Sequence, residues 1–80
     1  MITREAVAAR LLELCKERGM TVNGLAYSSA VPPTTLKNVL SGASRNPGIV
    51  TIKKLCDGLE ISLPEFFDSE LFYSLEQEIK

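Results

Sequence analysis

The sequence predicts an all-α protein, a compact bundle of five to six short helices. Three observations predict it. Apolar residues recur three and four apart in one segment after another, glycine, proline and capping residues punctuate those segments, and no convincing run alternates as a strand does. At 80 residues the chain is one domain. A chain of this size buries only about 60% of the surface it exposes when unfolded, which leaves little room for a deep substrate pocket.

The first helix is expected over about 4–18. Val7, Leu11, Leu14 and Cys15 form one apolar stripe, with Thr3 as N-cap, Glu5 in the first turn and Gly19 at the end. The second, about 22–29, has Thr21 as N-cap and turns Leu25 and Ala26 inward. Gly24 lies inside it at a cost of about 1 kcal/mol relative to alanine, so this helix needs tertiary support. Val31 and Pro32 are extended, because a residue before proline is pushed out of the α region. Pro33 then opens the third helix, about 33–41, in the first-turn position where its missing N–H costs nothing. Leu36, Val39 and Leu40 form its core face, Thr34, Thr35, Lys37, Asn38 and Ser41 its polar face, and Gly42 closes it.

Residues 43–48 read as a polar loop. The fourth helix, about 49–58, carries Ile52, Leu55 and Cys56, followed by Leu59, on one stripe. Ser62, Leu63, Pro64 and Glu65 match a capping box, with Ile61 and Phe66 as the staple around it. In the tail, Leu71, Leu75 and Ile79 at i, i+4 and i+8 predict a helix with a narrow apolar seam. The expected organisation is a body of residues 1–68 and a helical tail of 69–80 within the same domain.

The net charge of −1 is unevenly spread. Residues 1–54 hold eight basic and three acidic groups, a net +5; residues 55–80 hold one basic group and seven acids, a net −6. No acid occurs between Glu17 and Asp57. This asymmetry points to a polyanionic partner for the first part, with plain solvated charge as the bland alternative. Lys53 and Lys54 read as general surface charge, and Tyr27 and Tyr73 as partly buried packing residues.

Several function classes lack their residues. With no histidine there is no His-based triad or His general base. Cys15 and Cys56 are far apart and form no C-x-x-C pair; without histidine they make poor zinc chemistry and read as reduced core thiols. The stretch from Gly42 to Gly48 lacks the Lys-Ser/Thr of a phosphate loop. No apolar run approaches membrane-spanning length, and the first residues have no secretory h-region. The expectation is a non-enzymatic cytoplasmic protein with no cofactor, no metal, no membrane contact and no evident small-molecule effector.

Two short helices joined by a tight turn, the second polar on one face, form a helix-turn-helix at about 22–41. Such a helix fits the major groove of duplex DNA, where each base pair presents a distinct pattern of donors and acceptors. The exposed residues early in the helix are Pro33, Thr34, Lys37 and Asn38. Asparagine pairs with adenine, lysine donates to guanine, threonine bonds either way, and proline offers apolar contact.

The ordered set of Gly19-Met20-Thr21, Leu25-Ala26, Val31, Thr35-Leu36, Leu40-Ser41-Gly42, Asn46-Pro47, Thr51-Ile52, Leu55, Leu59, Ile61-Ser62-Leu63 and Phe66-Phe67 resembles the phage repressor/Cro type (XRE-like) of helix-turn-helix protein. The resemblance covers about residues 6–68. It implies a lambda-repressor-like fold and a sequence-specific double-stranded DNA-binding transcriptional regulator, expected to repress and to act as a homodimer. It implies base contacts from Pro33, Thr34, Lys37 and Asn38, and backbone contacts from Thr21, Asn23, Thr35, Ser41, Ser44 and Arg45.

The sequence departs from the family at several points. Val22 stands where a glutamine is common, Ala30 and Glu60 where glycine is common, and Cys15 and Leu40 where an arginine–glutamate pair is common. The last exchange predicts a Cys15–Leu40 contact, since a buried ion pair can give way to packed apolar groups without loss. Glu60 would be left-handed. The tail seam of Leu71, Phe72, Leu75 and Ile79 is the candidate dimer surface, the alternative being that it packs on its own core. The alternative function is an antitoxin-like or adaptor protein-interaction module that uses the acidic part of the chain.

Overall fold

The computed structural model describes residues 1–79. Among them there are five α-helices and no strand: α1 (Thr3–Arg18), α2 (Val22–Ser28), α3 (Pro33–Ser41), α4 (Ile49–Leu59) and α5 (Leu63–Phe67), followed by a single 3₁₀ turn over Glu70–Phe72. The body thus follows the predicted order within a residue or two at each boundary.

The helix starts are set by local chemistry. Thr21 Oγ1 accepts from Gly24 N at 2.9 Å, capping α2. A Cβ on Gly24 would stand 3.0 Å from that hydroxyl, so the glycine leaves space for the cap. At α5, Ser62 Oγ accepts from Glu65 N at 3.2 Å while Glu65 Oε1 accepts from Ser62 N at 3.4 Å, the reciprocal pair the sequence announced. α1 differs from expectation. Ile2 is its N-cap and Thr3 its first helical residue. Ile2 N donates to Glu5 Oε1 at 3.3 Å, and the Thr3 hydroxyl is engaged elsewhere, by Glu78.

Three helix ends share one backbone device, in which a left-handed residue is followed by an N–H that reaches back five residues. Met20 N bonds Cys15 O at 2.9 Å after Gly19 (φ 63°), Val31 N bonds Ala26 O at 3.1 Å after Ala30 (φ 54°), and Ile61 N bonds Cys56 O at 3.0 Å after Glu60 (φ 59°). Only the first uses glycine. At the other two a Cβ is held where it crowds the following carbonyl, at roughly 1–2 kcal/mol each.

The core is a single cluster drawn from all five helices. Leu11, Leu25, Leu36, Leu55, Leu59 and Phe66 are essentially sealed from solvent. Cys15 belongs to this cluster, and Leu40, half-buried, packs against it. The staple residues Ile61 and Phe66 are both buried. Arg10 of α1 reaches across to the end of α5, its Nε 2.8 Å from Phe66 O and its Nη2 2.9 Å from Glu65 O, while also pairing with Glu13. It supplies a donor to the Phe66 carbonyl that the helix end leaves open, and a second one to the Glu65 carbonyl, which also accepts from Asp68 N.

The tail departs from expectation. Beyond the 3₁₀ turn, residues 73–79 are not helical, so Leu71, Phe72, Leu75 and Ile79 do not line one helix face. A helix this short recovers too few hydrogen bonds to offset nucleation, and Glu76 and Glu78 would place negative charge at the negative end of its dipole. Instead Phe72 packs on Phe66 and Phe67, with ring centroids 6.0 and 5.0 Å away, and Leu71 and Leu75 are half-buried. The segment then crosses the start of α1: Glu76 N donates to Met1 O at 3.2 Å and the Thr3 hydroxyl donates to Glu78 at 2.6 Å. Ile79 is 82% exposed.

Candidate nucleic-acid interface

α2, the Ser29–Ala30 turn and α3 form the helix-turn-helix. Val31 is buried, Pro32 is extended (φ −55°, ψ 136°), and Pro33 takes the first helical position. Leu36 and Val39 anchor the inner side of α3. At about 100° per residue, Thr34, Asn38 and Ser41 point away from that anchor, Lys37 and Pro33 flank them on one side and Thr35 on the other. All six are exposed. Gly42, left-handed at φ 84°, ends the helix.

The loop after α3 folds back beside it, because Ser44 N donates to Asn38 O at 3.0 Å. Arg45 is exposed in this loop and Ser44 is half-buried. Ser41 Oγ lies 3.4 Å from Asn38 O and 3.4 Å from Ala43 N, so this hydroxyl is partly spent on closing its own helix. On α2, Asn23 and Thr21 are exposed, and Thr21 still has its hydroxyl proton free while it caps. Val22 is half-buried against the core, a packing role at the position where the family's glutamine would stand outside.

The charges are arranged to leave this face uncommitted. Among the described residues, ion pairs engage the N-terminal amine with Glu76, Arg10 with Glu13, and Lys53 with Asp57, while Lys37 and Arg45 join none. Lys53 is therefore neutralised locally. The charge asymmetry of the sequence becomes a spatial one, with the acid-free segment 18–56 containing α2, α3 and the loop.

Two features were not expected. Tyr27 is 91% exposed and Tyr73 is 78% exposed, which corrects their reading as partly buried residues. Tyr27 stands four residues after Asn23 and shares its outward face of α2, because the inward positions are taken by Leu25 and Ala26. The second is the joint that holds α2. Ser29 Oγ is buried without a hydrogen-bond partner, and Gly58 of α4 lies against it. A Cβ at Gly58 would overlap that hydroxyl and stand 3.0 Å from Ser29 Cβ and 3.1 Å from its backbone N. Nothing in the local sequence marks this pair, whose members are 29 residues apart.

Cys15 and Cys56 are free, buried thiols, and burial pushes both thiol pKa values up. No helix among the described residues is long and apolar enough to cross a membrane.

Residues 10–70 match the family model of the Cro/C1-type HTH DNA-binding domain. The HTH-type transcriptional regulator SlrR of Bacillus subtilis (strain 168) is 36% identical over 62 residues, which make up 76% of this chain and 41% of SlrR. The chain therefore spans less than half the length of that relative. Among solved structures, prophage Lp1 protein 11 superposes with a TM-score of 0.81 at 33% identity, covering 94% of this chain and 100% of that one. An HTH_3 family transcriptional regulator from Vibrio cholerae superposes with a TM-score of 0.76 at 31% identity, covering 85% of this chain and 38% of that one. On this match of sequence, fold and helix-turn-helix geometry, the chain belongs to the Cro/C1-type helix-turn-helix family of DNA-binding transcriptional regulators.

Proposed function

We propose that the chain is a sequence-specific regulator that reads the major groove of duplex DNA with α3 and represses by occluding a promoter. The observation that carries this reading is the exposed face of α3. Thr34, Lys37 and Asn38 stand outward there, and among the described residues no ion pair or hydrogen bond engages their side chains. Thr34, Lys37 and Asn38 would touch base edges, and Pro33 would add apolar contact. Thr21, Asn23, Thr35, Ser41, Ser44 and Arg45 would hold the sugar–phosphate backbone, and Tyr27 joins them through its position beside Asn23. Backbone contacts fix register and supply the salt-sensitive part of the affinity. The site of action is the cytoplasm, a reducing compartment that suits two free thiols.

One α3 reads only a few base pairs, so the active form is a homodimer on half-sites about one helical turn apart. Of the tail residues, Leu71, Leu75 and Ile79 remain candidates for the contact, while the ring of Phe72 is occupied by Phe66 and Phe67. Selection from random duplexes, followed by titration of the selected duplex across salt, tests the reading. A palindromic site is expected, with Lys37→Ala and Asn38→Ala each costing about 1–3 kcal/mol and relaxing preference at a defined position. Enrichment of no sequence, or unchanged binding in both variants, overturns it. Sedimentation that shows only monomer at high concentration, with and without the selected duplex, rejects the dimer.

A further inference from the structure

We propose that a groove beside the helix-turn-helix is a second phosphate-binding site, for which Glu78 of the chain's own tail competes with DNA. This rests on the DNA-binding reading above. The groove runs between the start of α1, the loop after α3 and the end of α5. Val7, Ile52 and Phe67 form its floor, and Arg4, Arg45 and Glu78 line its edges.

Two guanidinium groups at one groove suit an anion with several oxygens, because the planar fork of arginine matches phosphate in two-point geometry. Among the described residues neither Arg4 nor Arg45 joins an ion pair. Arg45 is carried by the loop that the Ser44–Asn38 hydrogen bond folds against α3. A duplex seated on α3 therefore brings its backbone to the mouth of the same groove. Arg4 extends the contact onto α1, away from the helix-turn-helix itself.

The carboxylate already in the groove is Glu78, held by the Thr3 hydroxyl at 2.6 Å. Beyond the half-buried Leu75, the tail that delivers it is fastened at its crossing of the N-terminus, where Glu76 N donates to Met1 O at 3.2 Å and the Glu76 carboxylate lies 3.6 Å from the terminal amine. Both partners of that pair are well exposed, and exposed pairs of this kind are weak and screened by salt. Such a tail can leave without disturbing the core. With it in place, Arg4 and Arg45 share the groove with the Glu78 carboxylate; with it displaced, they face phosphate. The tail thus acts as an internal competitor that lowers affinity for all DNA and so raises the weight of the base contacts made by α3.

The test compares two double variants with the same change in net charge. Glu76→Gln/Glu78→Gln removes the carboxylate in the groove and the one that ties the tail to the N-terminal amine, and Glu17→Gln/Glu60→Gln neutralises two exposed acids away from both. At low salt the tail variant is expected to bind the selected duplex about fivefold more tightly than wild type, the control less than twofold, and the difference to vanish in an Arg4→Ala/Arg45→Ala background. Equal gains in the two variants, no gain in either, or a tail gain that persists without the arginines overturns the proposal. The same set is run on immobilised heparin, a polyanion without base sequence. If the protein selects no duplex, the DNA reading fails, and the heparin elution of tail against control variant still decides whether the groove is an anion site guarded by the tail.

Discussion

At the joint between α1 and α5, Arg10 reaches over and donates to the carbonyls of Phe66 and Glu65, and the aromatic cluster of Phe66, Phe67 and Phe72 fills the space beside it. At the joint between α2 and α4 nothing reaches over. Gly58 has no side chain, the Ser29 hydroxyl is buried against it without a partner, and the helices come close because atoms are missing. The first joint fixes the end of the core farther along the chain, and the second fixes the helix-turn-helix. A contact made by a long charged side chain tolerates small shifts, whereas a contact made by absence tolerates none. The helix-turn-helix is mounted on the less forgiving of the two.

Removing the clamp has the largest expected effect. Arg10→Ala leaves the Phe66 carbonyl unpaired, removes the second donor from the Glu65 carbonyl and strips the apolar stem from α5, for a loss of about 3 kcal/mol in urea denaturation. If stability stays within 0.5 kcal/mol of wild type, the first joint rests on the aromatic cluster alone. Gly58→Ala should cost about 2 kcal/mol by overpacking and weaken DNA binding beyond what the unfolded fraction explains, because α2 must move away from α4. Full affinity in the folded variant would show that α2 position is not set here. Ser29→Ala is expected to raise stability by about 1 kcal/mol, since it deletes a buried hydroxyl that has no partner, and to recover part of the Gly58→Ala loss when the two are combined. Strict additivity would deny the contact. Smallest is the relief of left-handed strain: Ala30→Gly and Glu60→Gly should each stabilise by roughly 0.5–1 kcal/mol, the relief being partly offset by the freedom glycine gains when unfolded, measurable as a higher Tm.

The contrast between the joints also marks what could be read from the sequence. Helix starts and stops were legible where one residue type has one physical use. Examples are Pro33 at the first position of α3, the Ser62–Glu65 box, and Gly19 and Gly42 at helix ends. The left-handed Glu60 was suggested by the resemblance, which puts a glycine at its place, and the outward face of α3 followed from its period against Leu36 and Val39. The rest depended on contacts distant in sequence. No local signal pairs Ser29 with Gly58 or sends Arg10 to α5, and Gly58 inside a helix reads as a mere loss of propensity. Leu71, Leu75 and Ile79 have helical spacing, yet spacing shows only that a helix would be amphipathic, not that the segment gains enough to form one. Tyr27 misled because an aromatic residue on a helix suggests packing, while its neighbours Leu25 and Ala26 had already filled the inward face.

The two sealed thiols turn the protein into its own clock. Cys15 sits on α1 and Cys56 on α4, and each becomes reachable by a disulfide reagent only when its helix lifts from the core. Burial raises both pKa values above that of a free cysteine, so the unfolded chain gives up these protons first and stability falls as pH rises through the free-thiol value. Well below that pH thiolate is scarce and labelling weighs the population of the open state; above it the reaction outpaces reclosing and labelling counts the openings themselves. If both cysteines react at one rate, the bundle opens as a whole; if Cys15 and Cys56 tick separately, α1 and α4 are independent leaves of the same small book.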